Sequence, residues 1–192
     1  MTSPVRFDQQ KDKDDVTDTA LLQAVAGGDR LAFRQLYDRY YRRVHGFAYR
    51  LVLRSDRADE VANDAMVAVW RGAEGFQGRA PVSSWIYGIV YRVAKKSHRF
   101  VRFEFRHIEI TEGEELADEE VAPIDVFERR RVAAALARLP VDLRLVVELT
   151  YYDDMSCAEI AQIVGCPVGT VKSRMSRARA CLRDDLVECA QR

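Results

Sequence analysis

The stretch 168–183, VGTVKSRMSRARACLR, carries five basic side chains and no acidic one. At about 100° per residue in a helix, Lys172, Ser173, Ser176 and Arg177 fall on one side, and Val168, Val171, Met175, Ala178 and Leu182 fall on the other. Such a face can lay guanidinium, ammonium and hydroxyl donors along base edges in the DNA major groove, where Arg is the commonest specific partner of guanine. Arg174 and Arg179 lie nearer the flanks, where phosphate contacts suit them better. The preceding residues supply the support. Ser156 followed by Glu159 forms a capping box, and Ile160, Ala161 and Val164 give one apolar helical face. Gly165 tolerates the left-handed conformation that ends a helix, and Pro167 suits the first turn of the next. Two short helices and a tight turn are the layout of a helix-turn-helix. The alternative is a solvated basic face on an ordinary helical hairpin.

A second constellation lies upstream. The segment 83–102 opens with the aromatics Trp85, Tyr87 and Tyr91 and ends with Arg92, Lys95, Lys96, Arg99 and Arg102. Lys95 and Arg99 follow Tyr91 at four-residue steps, so one exposed helical stripe should run from aromatic to basic. Bases stack on rings while phosphates pair with cations, a combination suited to single-stranded nucleic acid. The loop before it, GFQGRAPV at 75–82, has Gly and Pro where a chain turns and backbone N–H groups able to meet an extruded base. Trp85 also fits a plain core position, with the cations as a solvated helix end.

Whole-chain composition conceals this pattern. The 192 residues carry 30 basic and 30 acidic side chains, so the formal net charge is zero. Residues 20–103 nevertheless sum to +8 and 129–192 to +3, against −2 for 1–19 and −9 for 104–128. Phosphates respond to such local charge. The four cysteines, Cys157, Cys166, Cys181 and Cys189, form no CxxC pair, and His45, His98 and His107 are far from them. No metal site is therefore expected, and the cysteines read as small buried apolar side chains in a reducing compartment. The opening MTSPVRFDQQKDKDD is polar throughout, so no signal peptide is expected. No apolar run approaches the roughly 20 residues needed to span a bilayer, which implies a cytoplasmic protein without membrane insertion. Neither a phosphate-binding Gly loop, HExxH nor a nucleophile elbow appears, which sets enzymatic activity aside.

The elements that must position these residues are helices. Residues 1–16 are polar and charged, with the composition of a disordered segment. Thr17 can cap a short helix bearing Leu21, Leu22 and Val25 that ends at Gly27 and Gly28. Asp29 can cap a long helix with the stripe Phe33, Leu36, Tyr37, Tyr40, Val44, Phe47, Ala48 and Leu51. Ser55 or Asp56 starts a third, with Ala58, Val61, Ala62, Ala65, Met66, Val69, Trp70 and Ala73 inward. A fourth, from Ser83 to about Arg102, buries Trp85, Ile86, Ile89, Val90 and Val93. Residues 104–123 are acidic and aperiodic, a linker with a weak strand-like RHIEIT at its start. Helical pattern resumes near Ile124 with Phe127, Val132, Ala135, Leu136 and Leu139. Pro140 stops that helix, and Asp142 can cap the next, which holds Leu143, Val146, Val147 and Leu149. Asp153 and Asp154 then turn the chain. The fold class expected is all-α: a four-helix N-terminal domain at 17–103 and a helix-turn-helix domain at 124–192, tethered by the acidic linker.

The segment 59–94, DEVANDAMVAVWRGAEGFQGRAPVSSWIYGIVYRVA, resembles region two of bacterial sigma factors of the extracytoplasmic-function (ECF) class of the sigma-70 family. The segment 138–182, RLPVDLRLVVELTYYDDMSCAEIAQIVGCPVGTVKSRMSRARACL, resembles region four of the same class. Together the two cover roughly residues 20–187, in the family's order. The resemblance implies a subunit that directs core RNA polymerase to promoters and helps open them, with no cofactor. It implies that the helix at about 57–73 docks on the clamp coiled coil of the polymerase β′ subunit through Asp59, Glu60, Asn63, Asp64 and Arg71. Many relatives have Gln-Glu where this chain has Asn63-Asp64. The loop residues Phe76, Gln77, Gly78 and Arg79, with Trp85 and Tyr91, would hold a flipped base of the minus-ten element. Arg92, Lys95, Lys96 and Arg99 would grip phosphates nearby. Lys172, Ser173, Ser176 and Arg177, flanked by Arg174 and Arg179, would read the minus-thirty-five element. The polymerase β flap is a further implied partner, as is an anti-sigma protein covering both domains. The acidic linker would thread the channel later taken by RNA, or serve only as a tether. A stand-alone helix-turn-helix regulator with an N-terminal sensing domain is the alternative, but it has no use for the aromatic-to-basic helix at 85–102.

Overall fold

The computed structural model describes residues 17–96 and 123–190, and among them every regular element is a helix. Helix α1 spans 17–26. It is followed by α2 (Arg30–Val52), α3 (Ser55–Gly72), a 3-10 turn (Ala73–Gly75) and α4 (Val82–Lys96). After the acidic segment come α5 (Pro123–Arg138), α6 (Val141–Tyr151), α7 (Cys157–Val164) and α8 (Val168–Ala190). By contact, the described residues 17–96 and 158–166 fall in one compact unit, and 123–157 and 167–190 in another. The strand-like RHIEIT, the linker expected at 104–123 (up to residue 122) and the end of the basic helix beyond Lys96 lie outside the described residues.

In the first unit α2, α3 and α4 pack on one another. Asp29 caps α2 as its side chain accepts from the backbone N–H of Leu31 (2.8 Å) and Ala32 (3.1 Å), satisfying donors with no helical partner. Gly28, at φ +86°, makes the turn before it without a Cβ penalty. At the far end Leu53 takes the left-handed conformation, φ 54°, and its N–H closes on Tyr49 O at 2.7 Å. This reverses the chain into α3. The core is the predicted stripe: Leu36, Val44, Phe47, Ala48, Val61, Ala62, Ala65, Val69, Ile86 and Val90 are each 0% exposed. Asp18 of α1 is buried and accepts from Arg39 and the Tyr40 hydroxyl, which offset the cost of removing a carboxylate from water.

Not every apolar residue of those stripes is covered, and Leu21, Trp85 and Val93 are half-buried. Phe33, Tyr37 and Trp70 are only half-buried. Periodicity places them on the inward half of their helices, but they sit at its edge, where no described helix closes over them.

In the second unit α8 packs against α6 and α5. Val171, Met175 and Ala178 face inward as expected, whereas Val168 is 39% exposed because it stands out with the exposed Pro167 turn that precedes it. On α5, Ala135, Leu136 and Leu139 are buried, but Val132, one turn earlier, is 41% exposed. Asp142 does not cap α6. Pro140 occupies the N-cap position, which shifts Asp142 into the first turn and frees its carboxylate for Arg174. Within α6 the buried Arg144 faces Glu148, Nε to Oε1 3.6 Å. Burial pushes the Arg144 guanidinium below its usual pKa and Glu148 pulls it partly back. The cysteines depart from the expected burial: Cys157 and Cys166 are half-buried and Cys181 is exposed, being off the inward stripe of α8. No described helix is long and apolar enough to cross a membrane.

Candidate nucleic-acid interface

The α7–α8 segment begins where α6 ends. Asp154, at φ 49°, and the Met155 N–H bonded to Leu149 O at 3.0 Å turn the chain into α7, which starts one residue after Ser156. Gly165, at φ +73°, ends α7, and the N–H groups of Gly165 and Cys166 both close on Ala161 O, at 2.9 and 3.1 Å. This double closure lets a left-handed glycine satisfy the Ala161 carbonyl at the end of the helix. Pro167 stands just before α8, its carbonyl accepting from Thr170 N–H at 2.9 Å.

On α8, Lys172, Ser173, Ser176 and Arg177 are all exposed, opposite Val171, Met175 and Ala178. The Ser173 hydroxyl donates to Thr170 O at 2.9 Å, so it presents an acceptor outward. The two flanking arginines differ. Arg179 is exposed, its guanidinium donating to the Tyr151 hydroxyl at 3.3 Å. Arg174 is held within the unit by Asp142, Nη2 to Oδ2 2.7 Å, with its side chain only 22% exposed. It is placed as a brace between α8 and α6 more than as a free phosphate ligand.

The second unit also has a groove of about 490 Å³, lined by Cys157, Lys172, Met175, Ser176, Arg179, Ala180 and Arg183. Its cationic rim adds Arg183, a residue the sequence reading left out. The signal was present: Lys172, Ser176, Arg179 and Arg183 recur at steps of four, three and four, one continuous helical stripe.

In the first unit the loop residues Gln77, Gly78 and Arg79 are exposed, and Gly78 is left-handed at φ +64°. Phe76 and Trp85 are half-buried and meet edge to face, ring centroids 5.4 Å apart. Gly72 leaves the indole room from the α3 side. The Phe76–Trp85 pair thus spans core and surface at the base of the loop. Tyr91 departs from the exposed aromatic-to-basic stripe that was expected. It is 9% exposed, one turn after the fully buried Tyr87, on the side covered by the bundle. The exposed run begins instead with Arg92, Lys95 and Lys96, and Lys95 Nζ lies 6.0 Å from the centre of the Tyr91 ring. Arg99 lies outside the described residues.

Asp59, Glu60, Asn63, Asp64 and Arg71 are all exposed on α3. Glu60, Asp64, Val67 and Arg71 form one stripe along the helix, and Val67 in its midst is 46% exposed. Beside it lies a groove of about 640 Å³ lined by Arg30, Phe33, Arg34, Tyr37, Asp38, Val67 and Trp70. Phe33 meets Trp70 edge to face at 5.1 Å, and Tyr37 stacks on Tyr41 at 4.6 Å. Partial burial, then the neighbouring Tyr41, push the Tyr37 phenol above its usual pKa. This groove too was hidden in the sequence, where its aromatics read as core.

A helix with a cationic outer face, α8, in one chain with the α2–α4 bundle, has the pattern of a DNA-binding protein. Residues 36–102 match the family model for Sigma-70 region 2, and residues 129–182 that for Sigma-70, region 4. Over 190 residues the chain is 30% identical to the ECF RNA polymerase sigma-E factor of Haemophilus influenzae, covering 89% of this chain and 96% of that protein. Over 164 residues it is 36% identical to the ECF RNA polymerase sigma factor SigM of Mycobacterium tuberculosis, covering 85% of this chain and 82% of that protein. Among solved structures, CnrH in complex with the cytosolic domain of CnrY matches with a TM-score of 0.67 at 27% identity, covering 90% of this chain and 98% of that one. The chain belongs to the extracytoplasmic-function class of RNA polymerase sigma factors.

Proposed function

We propose that this sigma factor places core RNA polymerase on promoters by dividing recognition between its two units. Lys172, Ser173, Ser176 and Arg177 of α8 read base edges of the minus-thirty-five element, with Arg179 and Arg183 on phosphates. Phe76, Gln77, Gly78, Arg79 and Trp85 receive a base extruded from the minus-ten element, and Arg92, Lys95 and Lys96 hold the adjoining phosphates. The exposed stripe Asp59, Glu60, Asn63, Asp64 and Arg71 docks on the β′ clamp. The protein works in the cytoplasm, catalyses no reaction of its own and is held in check by an anti-sigma partner. The observation that carries this reading is the outer face of α8, where Lys172, Ser173, Ser176 and Arg177 stand exposed on a helix without one acidic residue from Val168 to Arg183.

The reading is tested by gel filtration of the chain with core polymerase and by run-off transcription on a fragmented genomic library. Co-elution and discrete promoter-dependent transcripts are expected. A chain that elutes alone and leaves transcription non-specific would sink it, and would favour a stand-alone helix-turn-helix regulator.

A further inference from the structure

On the α3 face assigned to polymerase docking, the Asp59 carboxylate is tied to a neighbouring helix. His45 Nε2 of α2 lies 3.1 Å from Asp59 Oδ1 of α3, within hydrogen-bond reach. The two side chains differ in freedom: Asp59 is 56% exposed and His45 only 26%. His45 is also backed along its own helix. Its ring lies 6.3 Å from that of Tyr41, which stacks on Tyr37 at 4.6 Å, a ladder at four-residue steps.

A fastener between α2 and α3 is not what this contact adds. Val44 and Ala48 of α2 and Ala58 and Ala62 of α3 are each 0% exposed, so the two helices already share a closed core. A solvent-accessible pair adds little to such a core. The effect on Asp59 is more specific. A free surface carboxylate loses rotamer freedom when a partner engages it, and one already held loses less.

We infer that His45 is a positioning residue for polymerase binding, acting through Asp59 by holding its carboxylate ready for a cationic group on the polymerase. The inference rests on the docking role proposed for the α3 stripe. The experiment is a competition measurement of affinity for core polymerase, made on the full chain with His45→Leu, His45→Gln, Asp59→Ala and the His45→Leu/Asp59→Ala double variant. Melting temperatures are recorded alongside. His45→Leu weakens binding roughly threefold to tenfold. His45→Gln, which keeps an N–H donor at a similar reach, recovers most of that loss. In the Asp59→Ala background the loss from His45→Leu disappears, and the melting temperatures of all four variants stay close to the parent.

Equal losses from His45→Leu with and without Asp59 would overturn the inference, as would a drop in melting temperature that accounts for the affinity lost. If Asp59→Ala weakens binding but His45→Leu does not, positioning fails and the docking face stands. If Asp59→Ala, Asn63→Ala and Asp64→Ala all leave affinity unchanged, the docking reading fails, and the inference fails with it.

Discussion

Helices α4 and α8 both combine an apolar side with cations, but they divide their surfaces in different ways. Eight of the ten residues 82–91 of α4 are buried, and its positive side chains, Arg92, Lys95 and Lys96, are confined to the end. Helix α8 buries Val171, Met175 and Ala178 along one side and leaves Lys172, Ser173, Ser176, Arg177, Arg179 and Arg183 exposed over three turns. A helix exposed along its length can present several side chains to successive base pairs, so α8 is suited to reading sequence. A helix enclosed except at one end offers charge at a point. In the proposed reading, base-specific contacts near α4 fall to the loop before it, where Gln77, Gly78 and Arg79 are exposed beside the Phe76–Trp85 pair.

Four substitutions can break or sharpen that contrast. The largest effect is expected from Ile86→Ala, since Ile86 is 0% exposed in the enclosed part of α4. A loss of about 2–5 kcal/mol in urea-unfolding stability follows from the deleted side chain and its cavity. A loss under 1 kcal/mol would mean that α4 is less enclosed than described. Arg177→Ala comes next: it should leave stability unchanged and reduce discrimination at one base position by roughly 1–3 kcal/mol, read by binding to single-base promoter variants. Equal weakening on every variant would remove base reading from that position. Lys95→Ala should behave in the opposite way, weakening all sequences alike and lowering the slope of log affinity against log salt by about one unit. An unchanged slope would leave the end of α4 as a solvated terminus. Asp142→Ala has the smallest expected effect, about 0.2–1 kcal/mol of stability from an exposed pair. Its value is what it does to Arg174. If the freed guanidinium finds a phosphate, the salt slope rises by about one unit; if Arg174 is only a brace, stability falls slightly and the slope stays put.

The sequence made the helices legible wherever local chemistry decides. Asp29, Gly28, Gly165 and Pro167 each act through their own backbone or the next turn, and each sits where its chemistry predicts. Faces were legible too, because the 3.6-residue period separates Val171, Met175 and Ala178 from Lys172, Ser176 and Arg177. Depth was not. Periodicity places Tyr91 on a stripe with Lys95, but only packing with the other helices decides that the ring is covered and the ammonium is not. The same gap accounts for Phe33, Tyr37 and Trp70, which have the pattern of core residues but no described helix to close over them. Contacts between side chains of different helices, such as Asp142 with Arg174 and His45 with Asp59, leave no periodic trace at all. Arg183 was a simple omission, since its spacing from Arg179 was visible.

The half-buried state of Trp70 and Trp85 makes the protein its own optical probe. They are the chain's two tryptophans, and each stands at a different surface: Trp70 in the α2–α3 groove beside the exposed α3 stripe, Trp85 by the loop before α4. Indole emission shifts with the polarity around the ring, so Trp70→Phe and Trp85→Phe each leave a single reporter. Under the proposed function, one then follows the arrival of a protein on the groove and the other the arrival of a nucleic-acid strand at the loop, in real time and without a label.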